Sequence, residues 1–247
     1  MMNVKMEIDM IHVPFIRKPA INLLENFASS TAALRFIHSA YPLNETILSS
    51  IFLQLTGMLE QKCKCIFWTI ATIDFEYRYQ NKSGLNSEYS SYNDKDGIYD
   101  AMLKHIKPFK DVSDDMVKHK KQELLLQACE SVVKVFANST ISDWNPRQFQ
   151  QLGLFKSEFG DDWLKGQLFG TKLKCAYEQL WKHRNRCAHN TKSYQPNLPT
   201  FISLNDANNK YNNYFLFFTI LVLIDEIFRW LFDVYYGELE KRRIINS

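Results

Sequence analysis

The spacing of the apolar residues constrains the fold of this chain more than any other feature of its sequence. Apolar positions recur every three or four residues over a long segment, at Ile47, Ile51, Leu55, Met58, Leu59, Cys65, Ile66 and Ile70. This spacing places side chains on one face of a helix, whereas a half-buried strand requires strict alternation. Glycine and proline, which interrupt helices, number only 8 and 7 in 247 residues. The pattern predicts an all-α fold of long helices with loop insertions.

The chain is long enough to bury its own core. Hydrophobic residues make up 46% of it, including 18 Phe, 12 Tyr and 5 Trp, and no internal repeat or linker divides it. We therefore expect a single domain over residues 1–247, with an irregular segment over 1–20 where Pro14 and Pro19 oppose a continuous helix.

Helix boundaries follow from prolines, polar stretches and capping residues. Pro42 is expected to end the first helix and Asn44 to cap the second. Polar loops are expected over 81–96 and 190–208, and an irregular connection with short helical pieces over 138–160. The basic run from Lys118 to Lys121 is interpreted as a solvated helix face, with contact to RNA as the alternative. The predicted helices cover about 20–40, 45–79, 97–107, 113–137, 162–189 and 207–237.

Charge and hydropathy restrict the classes of partner. The formal net charge is only +3, so any site for a polyanion must be local. The most apolar run, Tyr214 to Ile224, has 11 residues and ends at Asp225. Because a membrane span needs roughly 18, we expect a buried or interface helix and no membrane contact. The first 20 residues lack the apolar region of a secretory signal, which favours a cytoplasmic location.

The five cysteines do not form a metal-binding or disulfide pattern. Cys63 and Cys65 make a CxC pair without a second Cys or His pair at zinc-finger spacing. The count is odd and the spacing irregular, which indicates reduced thiols that pack as small core residues. We expect no metal and no cofactor.

A cluster of cationic residues ends the helix predicted over 162–189. Residues 181–190 read WKHRNRCAHN. On a helical wheel, Arg184 projects into an apolar stripe, while Asn185 and His189 share the adjacent face. A guanidinium on an apolar stripe needs an anion, which is either a carboxylate on a neighbouring helix or a phosphate. The apolar stripe comprises Leu173, Tyr177, Leu180, Trp181 and Ala188.

Residues 184–189, RNRCAH, resemble the signature of the HEPN superfamily, in which an Arg followed by a polar residue precedes a His by four to six positions. The resemblance implies a HEPN-like antiparallel helical bundle and a metal-independent endoribonuclease of a microbial defence or toxin–antitoxin system, with an antitoxin or regulatory protein as a further partner. It implies that His189 is the acid/base or phosphate-positioning group, Arg184 the phosphate clamp and Asn185 an orienting partner. Lys182, His183 and Arg186 would then add positive potential for the RNA backbone.

The resemblance also implies a homodimer, because one motif supplies one Arg and one His to a reaction that needs both an acid and a base. We expect the dimer seam along the motif helix and the strongly apolar final helix, and we expect His183 at the surface rather than as a second catalytic histidine. One feature departs from the family: toxins of this kind that are modified by their antitoxin carry a Tyr two residues after the His, where this chain has Thr191, its nearest tyrosine being Tyr194.

Two other functions remain open from the sequence. One is a non-catalytic HEPN-like module that binds RNA or nucleotide or that scaffolds a defence complex. The other is a plain helical interaction protein in which Arg184 forms a salt bridge and His189 caps the helix.

Overall fold

A computed structural model describes residues 11–32, 41–137, 139, 142, 146–189 and 213–245. These residues form helices and connecting turns, with no strand among them, so the prediction of an all-α fold is confirmed. A short 3-10 helix covers Lys82–Asn86. In chain order the α-helices are α1 (11–17), α2 (Ile21–Ala32), α3 (Tyr41–Ile73), α4 (Phe75–Gln80), α5 (Tyr92–Ile106), α6 (Asp114–Phe136), α7 (Pro146–Phe159), α8 (Thr171–His189) and α9 (Tyr214–Ile245).

Helix α9 is the centre of the bundle. It packs against α3, α5, α6, α7 and α8, and every residue from Tyr214 to Ile224 is at most 3% exposed. Its apolar run is therefore buried, as the sequence predicted. The expectation that this run leaves apolar surface for a second subunit is wrong, because the chain's own helices cover it. Within the residues that the structure describes, no helix is both long and apolar enough to span a bilayer.

A buried ion pair joins the N-terminal segment to the central helices. Lys62 on α3 donates to a carboxylate oxygen of Asp225 on α9 and to the carbonyl of Lys18, and the two paired side chains are each 1% exposed. The backbone N–H of Ala20 donates to the other carboxylate oxygen of Asp225 at 2.8 Å. Burial lowers the pKa of Lys62 and raises that of Asp225, and the opposite charge of each partner counteracts the shift.

The boundaries of the N-terminal half differ from those expected. Helix α3 begins at Tyr41, so Pro42 lies in its first turn, where proline is well accommodated, and Asn44 is inside the helix and does not cap it. The long helix is broken at Asp74, whose carboxylate accepts the N–H of Tyr77 at 2.9 Å and thereby caps α4. The expected loop over 81–96 is shorter, because a capping box formed by Ser91 and Asp94 starts α5 at Tyr92.

Helix α6 matches its predicted span within one residue, and the side chain of Ser113 caps it. The prediction that Lys121 belongs to a solvated helix face is wrong, because its side chain is 2% exposed. Its Nζ donates to the carbonyl of Gln167 at 2.6 Å and lies 4.5 Å from the ring centre of Tyr99 and 5.4 Å from that of Trp163. Burial lowers the pKa of Lys121 to about 8, against the raising effect of Asp96.

The segment before the motif helix contains a longer helix than expected. The region 138–160, predicted to be an irregular connection with short helical pieces, contains α7, a single helix of 14 residues, and α8 begins at Thr171 and not near 162. Asp162 caps α8 from outside, because its carboxylate accepts the N–H of Leu173 at 2.7 Å and its carbonyl accepts the N–H of Gly170 at 2.8 Å. A Cβ on Gly170 would lie 2.3 Å from that carbonyl oxygen, so only glycine fits this approach.

The described part of α8 extends to His189, and the final helix differs from the prediction at both ends. It covers Tyr214–Ile245 instead of 207–237. The side chain of Asn213 accepts the N–H of Leu216 at 2.7 Å and so caps the start of α9. The predicted loop over 190–208 and most of the irregular segment over 1–20 lie outside the described residues.

Candidate functional site

Arg184 lies near the C-terminal end of α8 and faces α3. Its Nη2 donates to Oε2 of Glu60 on α3 at 3.1 Å, and its Nη1 donates to Oδ1 of Asn185 at 3.1 Å. The side chains of Arg184 and Glu60 are 19% and 13% exposed. The expected carboxylate on a neighbouring helix is therefore present, and it is Glu60.

The ion pair leaves the guanidinium accessible from one side. A guanidinium carries five N–H donors, and the bonds to Glu60 and Asn185 use two of them. Two acceptors on different sides fix the plane of the group, which reduces the conformational freedom that a phosphate contact would otherwise have to remove. Arg184 thus combines a fixed orientation with partial exposure.

The apolar stripe of α8 is buried only in its first part. Leu173, Tyr177 and Leu180 are at most 2% exposed, and Trp181 is half-buried. Ala188 is exposed, so its placement on the apolar side is wrong. Arg184 consequently lies where the buried part of the helix surface ends.

His183 is a core residue, which corrects the expectation that it is at the surface. Its side chain is 1% exposed, and its Nε2 lies 2.9 Å from the hydroxyl of Tyr214 and 3.4 Å from Sγ of Cys187. Its ring centre is 5.2 Å from that of Phe52. A side chain enclosed in this way has no route to an RNA backbone, so His183 does not belong with Lys182 and Arg186.

A sequence signal could have located His183 in the core. Residues 176, 180, 183 and 187 follow the four–three–four spacing of a core-facing helix, and the other three are Ala176, Leu180 and Cys187. All four are 9% exposed or less. The cationic neighbours of His183 hid this register, because residues 182, 184 and 186 all carry positive charge.

Lys182 and Arg186 lie on the outer side of the same helix. Lys182 is exposed and Arg186 is half-buried, and Nε of Arg186 donates to the carbonyl of Lys182 at 3.4 Å. Both positive charges are on the last turns of α8, near its C-terminal end, where they also interact favourably with the helix dipole. They are placed to increase the positive potential around Arg184.

His189 is the last residue of α8. It follows Arg184 by five residues, which corresponds to about 7.5 Å along the helix axis. It follows Asn185 by four, so the two residues share one face of the helix. The side chain of His189 lies outside the described part of the structure, as do Thr191 and Tyr194.

Among the residues that the structure describes, the remaining polar and sulphur-containing side chains form no metal-binding cluster. No group of three or more His, Cys, Asp or Glu side chains that could hold a metal ion occurs among the described residues. The five cysteines are free thiols. Burial raises the pKa of Cys187, beside His183, to about 11 and that of Cys63 and of Cys129 to about 12, so these thiols stay protonated at neutral pH.

No family model, curated protein or solved structure matches this chain.

Proposed function

We propose that this chain is a metal-independent endoribonuclease of the HEPN type, which cleaves RNA in the cytoplasm as part of a microbial defence or toxin–antitoxin system. The observation that carries the proposal is the arrangement of Arg184. Its guanidinium is oriented by Glu60 and Asn185, is partly exposed, and lies on the last two turns of a helix that ends at His189.

The residue types suit cleavage of RNA without a metal ion. RNA supplies its own nucleophile, the 2′-OH, which attacks the adjacent phosphorus and displaces the 5′-oxygen of the next nucleotide, giving a 2′,3′-cyclic phosphate. The enzyme needs a proton acceptor, a proton donor and positive charge at the phosphate. Imidazole, with an ordinary pKa of about 6.5, serves proton transfer near neutral pH, which is the role of His189. Arg184 holds the phosphate oxygens and stabilises the developing negative charge.

A composite site in a homodimer supplies the second proton-transfer group. One chain carries one RNxxxH motif, and two copies that meet along α8 would bring two Arg and two His residues to one cleft. The apolar run of α9 is covered within the chain, so the proposed seam lies on the outer side of α8, around Lys182, Arg186 and Ala188. Analytical ultracentrifugation should show a dimer, and a strictly monomeric active enzyme would contradict this arrangement.

Incubation of the purified protein with total RNA in EDTA, followed by mapping of the cleavage ends, tests the proposal. The wild-type protein should produce ends with a 2′,3′-cyclic phosphate, and His189→Ala should lose at least about 100-fold in rate, the size of a general acid–base contribution. Circular dichroism of the variant should match that of the wild type. Intact RNA after incubation with folded dimer would contradict the proposal.

A second candidate function is favoured by the Arg184–Glu60 pair. If that pair serves packing alone, the chain is a plain helical interaction protein in which Arg184 serves only as one member of a salt bridge. Arg184→Lys distinguishes the two functions, because Lys retains the positive charge opposite Glu60 but lacks the planar fork that grips a phosphate. The nuclease should lose at least about tenfold in cleavage rate with an unchanged melting temperature. In a packing role, Arg184→Lys would leave every RNA-dependent readout unchanged.

A further inference from the structure

Three aromatic side chains are unusually exposed where α3 meets α4. Trp68 is 41% exposed, Phe75 is 68% exposed and Tyr79 is 63% exposed. Phe75 and Tyr79 are four residues apart on α4 and therefore lie on one face of it. Exposed aromatic rings in close succession are costly in water unless a ligand or partner covers them. We call Trp68, Phe75 and Tyr79 the aromatic surface.

Cations accompany two of these rings. The guanidinium carbon of Arg78 lies 4.8 Å from the ring centre of Phe75, and Nζ of Lys82 lies 4.0 Å from that of Tyr79. Each ring therefore has a positive charge over one of its two faces. Rings for stacking, with positive charges next to them, are the combination that proteins use to bind single-stranded nucleic acid.

Acidic residues near the aromatic surface are largely occupied. The two carboxylate oxygens of Asp74 accept from the N–H of Tyr77 at 2.9 Å and contact Nε2 of His105 at 3.0 Å. Glu76 accepts from the side-chain amide of Gln80 at 3.2 Å. Both carboxylates therefore have local hydrogen-bond partners, while the cations lie over the exposed rings.

The aromatic surface is connected to the Arg184 site through α3. Glu60, which pairs with Arg184, is followed at four-residue intervals by Lys64 and Trp68, so the three residues lie along one side of the helix. The distance from Glu60 to Trp68 along the axis is about 12 Å. Lys64, which lies between them, is half-buried, so a strand with a phosphate at Arg184, as the nuclease function proposed above requires, would pass a second positive charge and reach Trp68 within a few nucleotides.

We propose that the aromatic surface is a binding subsite for single-stranded RNA, in which unpaired bases stack on Trp68, Phe75 and Tyr79 while Arg78 and Lys82 contact phosphates. The bases of a duplex are already stacked and paired, so the subsite selects single strands. That this strand is also the substrate rests on the nuclease function proposed above, whereas the binding itself does not.

Fluorescence anisotropy with a labelled ten-nucleotide oligouridylate tests the proposal. Base stacking on an aromatic side chain is worth enough that each of Phe75→Ala and Tyr79→Ala should weaken binding at least about fivefold. The conservative changes Phe75→Trp and Tyr79→Phe keep a ring and should retain affinity. Met116→Ala and Leu164→Ala remove exposed apolar side chains elsewhere, 39% and 45% exposed, and serve as matched controls that should bind as the wild type does.

The charges provide a second readout. Replacing Arg78 and Lys82 by Gln should weaken binding in low salt and should reduce the slope of log affinity against log salt by about 1 to 2, since each phosphate contact releases a counterion. A duplex of the same length, used as competitor, should displace the labelled strand poorly.

The outcomes separate this proposal from the nuclease function. Loss of binding in the aromatic variants supports the subsite even if the wild type cleaves no RNA, in which case only the nuclease function fails. RNA affinity that is absent in the wild type, or equal in the wild type and in the Phe75→Ala/Tyr79→Ala variant, overturns the subsite while leaving cleavage open. A change in oligomeric state without a change in RNA affinity overturns it too, in favour of a protein contact.

Discussion

Replacing Lys62 by Met leaves the carboxylate of Asp225 without its cation in the middle of the bundle. Both side chains are 1% exposed, so water cannot substitute for the lost partner. Asp225 would retain one described hydrogen bond, from the N–H of Ala20 at 2.8 Å. Breaking a buried ion pair by removing one partner typically costs about 3 to 5 kcal/mol, and Lys62→Met should lower the free energy of unfolding by that amount. Domains of this kind are stable by only about 5 to 15 kcal/mol, so the loss should be large.

A double-mutant cycle that adds Asp225→Asn determines whether the lost stability comes from the Lys62–Asp225 ion pair. Asp225→Asn removes the negative charge and keeps an oxygen that can accept the Ala20 N–H. In the double variant, Lys62→Met with Asp225→Asn, no charge remains buried, so its cost should be smaller than the sum of the single costs by at least about 2 kcal/mol. This coupling exceeds the roughly 0.5 kcal/mol scatter of independent mutations.

Urea unfolding followed by circular dichroism at 222 nm measures these free energies. The surface pair of Lys104 and Asp100 on α5, with a 2.6 Å contact and 71% and 45% exposure, provides the matched control. Its cycle should give a coupling below about 1 kcal/mol. A Lys62–Asp225 coupling as small as that of the surface pair would refute the reasoning that burial makes this ion pair important.

Three further predictions concern buried or capping polar groups. Lys121→Met removes a buried amine whose pKa is lowered to about 8. Above that pH the folded state loses the proton that the unfolded state still holds, so the cost of burying the charge in the wild type decreases and its stability rises with pH. The Met variant has no such group. Urea unfolding should therefore show the stability of the variant relative to the wild type falling by about 1 kcal/mol between pH 7 and 9. Asp162→Ala removes the acceptor for the N–H of Leu173 and should cost about 1 kcal/mol, read from the urea midpoint at unchanged slope. His183→Ala should lower the melting temperature by several degrees through loss of its packing and its bond to Tyr214, yet folded variant should bind RNA as the wild type does; weaker binding at full stability would place His183 back in the RNA site.

Local patterns were sufficient for the fold class and for some helix ends. Helix α6 is flanked by Ser113 and carries apolar side chains at regular spacing, so its span depends on interactions within a few residues. The apolar run of α9 likewise indicates a buried helix from the local sequence alone. The expectation that this run faces a second subunit is wrong, because helices of the same chain cover it. A run that is apolar on every face fits either environment, and helical periodicity does not distinguish a subunit interface from a core.

Features that depend on distant residues could not be predicted. The start of α8 is set by Asp162, which caps the helix across a turn and does not precede its first residue, and by the close contact of Gly170 with the Asp162 backbone. The burial of Lys121 depends on Gln167 and on two aromatic rings from other segments. Side chains as polar as lysine are assigned to the surface by default, and only the tertiary structure supplies the partners that allow burial.

Part of the candidate site could be predicted from local sequence, and part depends on a distant residue. The spacing of Arg184, Asn185 and His189 on one helix is a local property, and the prediction that Arg184 requires an anion followed from the polarity of its surroundings. The anion itself, Glu60, is 124 residues away, so no sequence window contains both. The Arg184–Glu60 pair is mostly buried, with side chains 19% and 13% exposed, and it orients the guanidinium at the edge of the core. In the proposed nuclease, the remaining donors of this arginine, which is oriented by one carboxylate and one amide oxygen, would bind a phosphate of the RNA.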